Sequence, residues 1–166
     1  MSTSTLKENG LYICLFIRND PPLPNDFHWA LYHHHTDKTG GMKYHITGSF
    51  KSGWLPGHEP NSGIMKSFLL VGLFQIGYVP VGLNEFVDRT FRAYDEELNY
   101  PDVTCRVWVW RVLALLRKSV DGATAFKCED IEALEREVME WGNQYAEGAS
   151  KNLQPRPVDM SAICGL

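Results

Sequence analysis

Residues 27–46, FHWALYHHHTDKTGGMKYHI, hold the reading on which the fold turns. The first six, FHWALY, are β-branched-poor but aromatic-rich and alternate in character. As a strand they put Phe27, Trp29 and Leu31 on one face and His28, Ala30 and Tyr32 on the other. HHHTDKTGG at 33–41 reads as a polar loop closing a hairpin, and MKYHI at 42–46 as the return strand. The run His33-His34-His35 suggests a metal at first sight. Adjacent strand residues point to opposite faces, so the three cannot chelate together from a strand, and a solvated loop is the expectation. The hairpin can bring His28 and His45 together on one face.

Working outward, LYICLFIR at 11–18 reads as a strand buried on both faces, broken by PPLPND at 21–26. Residues 47–66 are rich in Gly, Pro and Ser and read as irregular. The stretch 67–83 has no charged residue. It is shorter than the roughly 20 residues a membrane helix needs, and glycines, a proline and Gln75 interrupt it. A buried strand over 67–76 followed by a turn is the expectation. Asn84 can cap a helix through EFVDRTFRAYDEEL, with Phe86, Thr90, Phe91, Tyr94 and Leu98 at helical spacing. After NYPD at 99–102, Asp102 or Thr104 can cap a helix through CRVWVWRVLALLRK, whose Val109, Val112, Leu113 and Leu116 share a face. A last helix is expected near 129–146, then an extended tail with Pro155 and Pro157. The order predicts an α+β fold, an antiparallel sheet packed against helices. A single domain is expected over 1–166, with its core at about 11–146 and a tail at 147–166.

A chain of 166 residues that is 44% hydrophobic and 12% aromatic can bury a core without metals or disulfides. The formal charge of −4 predicts no general affinity for nucleic acid or anionic membranes. The four cysteines, Cys14, Cys105, Cys128 and Cys164, show neither CxxC nor zinc-ribbon spacing. The start, MSTSTLKENG, has no apolar signal core. Free thiols in a reducing compartment are expected, with the cytoplasm as the location. The ending ICGL puts Cys164 one position short of a prenylation box.

Cys105 falls in the first turn of its expected helix. Unpaired N–H groups there favour thiolate and can donate to an oxyanion. Arg106 adds positive charge nearby or faces solvent. A buried cysteine is usually inert. Cys14, in an apolar strand, fits that description, Cys128 is a weaker nucleophile candidate, and Cys164 lies in the tail. A thiol nucleophile needs a base, and His28 suits the role, with His45 able to orient it. His28 alone could equally be a core histidine satisfied by backbone bonds. His58, in LPGHEP, could line a cleft lip but receives no role. Trp54, Trp108, Tyr32 and Thr104 are candidate cleft residues; Trp29 and Trp110 read more naturally as core.

His28-Trp29-Ala30-Leu31-Tyr32, then Tyr44-His45-Ile46, then Thr104-Cys105-Arg106-Val107-Trp108 resemble, in order, the motifs of the lecithin:retinol acyltransferase-like proteins. These form the circularly permuted branch of the NlpC-like, papain-fold cysteine enzymes. The chain also resembles a group of small fungal proteins with similar HWAL, YH and cysteine-helix stretches. That likeness spans about residues 11–146. The resemblance implies His28 as base, His45 as third polar member and Cys105 as nucleophile. Thr104 departs from the family's usual Asn before the cysteine, and no membrane helix follows the domain. The expected function is a thiol-dependent hydrolase or acyltransferase acting on an amide, ester or thioester of a small molecule or peptide, with no metal or cofactor. A cyclase or isomerase in fungal secondary-metabolite biosynthesis, using the same cleft, is one alternative. A non-catalytic binding module is the other.

Overall fold

A computed structural model describes residues 6–166, so the first five residues of the polar start lie outside the described residues. Eight strands and three helices follow in order: β1 (Gly10–Ile17), β2 (Phe27–Thr36), β3 (Gly40–Tyr44), β4 (Ile46–Ser49), β5 (Gly53–Pro56), β6 (Glu59–Asn61), β7 (Leu70–Tyr78), α1 (Asn84–Phe91), α2 (Cys105–Leu116), α3 (Ile131–Ser150) and β8 (Val158–Met160). The main sheet has the order β6-β3-β2-β1-β7-β8, and β4 with β5 forms a separate hairpin. The architecture is α+β, with the three helices packed against the sheet. All pairings in the main sheet are antiparallel except β7 with β8, which is parallel, so the sheet is mixed.

The alternation in β2 holds. Phe27, Trp29 and Leu31 join the large core on the helix side, with Trp108, Val109, Val112 and Leu113 of α2. Ala30 and Tyr32 join a smaller cluster on the other face, with Tyr12, Cys14, Phe16 and Leu73.

Several expectations are corrected. The histidine run is strand rather than loop: β2 continues to Thr36, with His33 opposite Met42 and His34 opposite Gly41. Gly41 permits this, because a Cβ there would lie 2.1 Å from the His33 carbonyl oxygen. Ladder pairing thus outweighs the polarity that marked a loop. Three short strands fall largely within 47–66, the first starting at Ile46, and β6 pairs with β3 as an edge. Their turn-rich composition hides pairings only three or four residues long. The first helix ends at Phe91 and lacks a side-chain cap at Leu83. Beyond it, Tyr94 lies under Arg111 and Asp95 bonds His58, so tertiary partners take the residues that helical spacing would have kept. The tail is also part of the fold. α3 runs to Ser150, and β8 joins β7. Buried Arg156 donates to the carbonyls of Leu70, Val71, Tyr145 and Leu153, tying this segment to β7 and α3.

Candidate functional site

β3 pairs with β2 only from Leu31 upward, because the chain leaves the sheet after Tyr44. The stretch of β2 below Leu31 therefore has no strand on that side. The start of α2 fills the gap. Thr104 caps the helix, its hydroxyl accepting from the Val107 N–H at 3.1 Å. Of the two caps read from sequence, Thr104 is the one used, and Asp102 instead occupies a left-handed turn at φ 64°. Cys105, the first helical residue, lays its Sγ on the open strand edge. Sγ accepts from the Trp29 N–H at 3.5 Å and faces the Phe27 carbonyl oxygen at 3.9 Å.

His28 Nε2 lies 2.9 Å from His45 Nδ1, with the two rings edge-on. Among the described residues, His28 Nδ1 makes no hydrogen bond, and Cys105 Sγ bonds neither imidazole. His28 and Cys105 nonetheless line one cleft of about 610 Å³, together with Arg18, Ile46, Phe50, Trp54, Asp102 and Thr104. The wall is mainly apolar, and Phe50 stands almost fully exposed at its mouth.

Electrostatics runs against a preformed ion pair. Burial pushes the Cys105 thiol upward, opposed by the Trp29 N–H, by Arg18 and by N–H groups at the helix start. The helix-start effect anticipated from sequence is present but outweighed. Burial, with Lys43 and Arg18 nearby, lowers His28 to about 4. Burial, Lys43 and His28 lower His45 to about 3. At neutral pH both imidazoles are uncharged and the thiol is protonated.

The other sequence candidates separate. Trp54 and Thr104 line the cleft. Trp108 does not: it is fully buried and stacks on His58 at 5.7 Å. Its place on the core face of α2, three residues beyond Cys105, turns it inward. Tyr32 points to the opposite end of the sheet, where its hydroxyl meets His34 Nδ1 at 3.0 Å, and His34 Nε2 in turn meets Asp37 at 2.8 Å. Trp29 is core, in contact with Trp110. Cys14 is fully buried, and burial drives its thiol up to about 12. All four cysteines are free. Among the described residues, no group of three or more His, Cys, Asp or Glu is gathered to hold a metal ion, and no helix is long and apolar enough to cross a membrane.

Arg18, Phe50 and Val103 escaped the sequence reading as cleft residues. Each belongs to a different segment, so no local spacing joins them. His58 escaped too. The one clue is a histidine in a Pro/Gly turn whose side chain is only 2% exposed, and burial is invisible in sequence.

Comparison with protein-family models, curated proteins and solved structures returns no match.

Proposed function

We propose that the chain is a thiol-dependent acyl-transfer enzyme built on the circularly permuted papain-like plan. It would act as a hydrolase or acyltransferase on an amide, ester or thioester of a small molecule or peptide. The observation that carries the reading is that His28, which lines one cleft with Cys105, lies 2.9 Å from His45 behind it. In this reading His28 Nε2–H donates to His45 Nδ1, which leaves His28 Nδ1 bare as a base.

The neutral resting state dictates the order of events. Sγ exchanges its contact with the Trp29 N–H for one with His28 as substrate enters. The thiol proton passes to His28 while sulfur bonds the carbonyl carbon. N–H groups at the start of α2 donate to the oxyanion. Collapse of the intermediate breaks the bond to the leaving group, which takes the proton from His28, and a thioester to Cys105 remains. Water or another acceptor, deprotonated by His28, then releases the acyl group and restores the thiol.

The same protonation states favour a second reading, a cyclase or isomerase. A protonated Cys105 and an uncharged His28 are an acid and a base without any acyl-enzyme. Treating the protein with p-nitrophenyl acetate separates the two. Acyl transfer expects a burst of p-nitrophenol and one acetyl group on the peptide containing Cys105, both lost in Cys105→Ala. Turnover of a substrate with no Cys105 adduct points to the second reading. No Cys105 adduct, together with a substrate that binds but whose fate is unchanged in Cys105→Ala and His28→Ala, supports a binding module.

A further inference from the structure

We propose that His58, held by Asp95, is a positioning residue that fixes His45 and, through it, His28. The inference rests on the acyl-transfer reading and adds a support to the backbone of its third member.

His45 sits at a joint. β3 ends at Tyr44 and β4 begins at Ile46, so His45 belongs to neither strand. Its peptide groups are taken instead by the turn at 57–58. The Gly57 N–H donates to the His45 carbonyl at 2.9 Å, and the His45 N–H donates to His58 Nδ1 at 3.2 Å. An imidazole nitrogen thus stands where a neighbouring strand would put a carbonyl. Gly57 also lies flat under the His45 ring, since a Cβ there would be 3.0 Å from Nε2.

That acceptor role requires one tautomer. Nδ1 must be bare, so the proton must sit on Nε2. Asp95 secures this, because its Oδ1 lies 2.9 Å from His58 Nε2 and an ionised carboxylate can only accept. The ring is also clamped, nearly parallel to Trp108 at 5.7 Å and against Tyr44 at 5.4 Å. His28 thus meets the ring of His45, while His58 and Asp95 hold the His45 backbone from the side of the loop after α1. Free rotation at the joint would let His45 Nδ1 leave His28 Nε2, and His28 would lose the partner that selects its tautomer.

A simple structural role would need only a buried ring, which makes the two roles separable. His58→Phe keeps an aromatic ring and removes both nitrogens. His58→Asn places an amide oxygen near the position of Nδ1. Asp95→Ala alters only the partly exposed loop carboxylate, so it remains informative if His58→Phe does not fold. Imidazole nitrogen-15 NMR of the whole chain reads the His28–His45 contact. Mass-spectrometric rates of Cys105 alkylation by iodoacetamide read its consequence. In His58→Phe the ring nitrogens of His28 and His45 should shift, and alkylation should slow about tenfold. That is less than loss of the base itself, worth roughly 10²-fold or more. Asp95→Ala should move both readouts the same way by less, and His58→Asn should recover most of the loss. Wild-type ring shifts or wild-type alkylation in both His58→Phe and Asp95→Ala would overturn the proposal, as would failure of a folded His58→Asn to recover. If His28→Ala itself leaves alkylation unchanged, the acyl-transfer reading fails as well. If His28→Ala slows it and the His58 and Asp95 variants do not, only the positioning role fails.

Discussion

Along β2, residues 27–30 and residues 31–36 both carry histidine, yet the two halves set it different tasks. In the upper half β3 covers the strand edge, and His34 lies between the Tyr32 hydroxyl and Asp37, on the side of the sheet away from Cys105. In the lower half β3 has left, the start of α2 stands at the bare edge, and His28 faces a cleft, its ring bonded among the described residues to His45 alone. A histidine with both ring nitrogens satisfied is held in place and is costly to use. One with a nitrogen to spare beside a thiol is available for chemistry. The difference lies in what stands at the strand edge.

The largest expected effect tests that division directly. His28→Ala should slow acetylation of Cys105 by about 10²-fold or more, the usual worth of a general base. His34→Ala should leave it unchanged. Equal losses in both variants would erase the distinction between the halves.

Acid should destabilise both halves together. His28 and His33 are lowered to about 4 and His45 to about 3, chiefly by burial, from an unfolded value near 6.5. Between those values the unfolded chain binds more protons than the folded one. The contribution is fully present above about pH 6.5 and is lost as pH falls through the folded values. Because all three imidazoles are lowered in the same direction, the loss deepens steadily as pH falls from about 6.5 towards 4. Urea unfolding at pH 7, 5.5 and 4.5 should give a falling midpoint, and His28→Gln should flatten that fall. A midpoint constant over this range would mean that these imidazoles titrate normally.

Tyr32→Phe sharpens the comparison from the other side. It leaves His34 Nδ1 buried without its donor, at a cost of about 1–3 kcal/mol by urea unfolding, with Cys105 alkylation at the wild-type rate. A change in alkylation would join the two ends of β2 into one network. The smallest effect is expected at the helix start. Thr104→Ala removes the cap on Val107 N–H and should cost about 1 kcal/mol, with slower Cys105 alkylation as the first turn loosens. Thr104→Ser should restore both.

How far the sequence could be read differs by element. β1, the first half of β2, α2 and α3 were legible because apolar periodicity over many residues reports which face is buried. The nearness of His28 to His45 was legible because a hairpin returns the chain, but the expected return strand through 42–46 ends at Tyr44, and the joint that places His45 outside both strands was not. The strand character of His33–His35 and the three short strands largely within 47–66 were not legible either. Short pairings are decided by the partner strand, and local composition says only that the segment is polar.

The sequence by itself determined the α+β class, the two faces of β2 and a cysteine opening a helix. All of these follow from local periodicity and capping. Tertiary structure alone decided that β3 stops at Tyr44, that Cys105 Sγ rests on the exposed edge at Trp29, and that His58 and Asp95 stand behind His45. It also decided that the thiol is raised despite its place at the helix start. These depend on burial and on contacts between distant segments. Desolvation, set by everything packed around a group, outweighs the local dipole that the sequence can reveal.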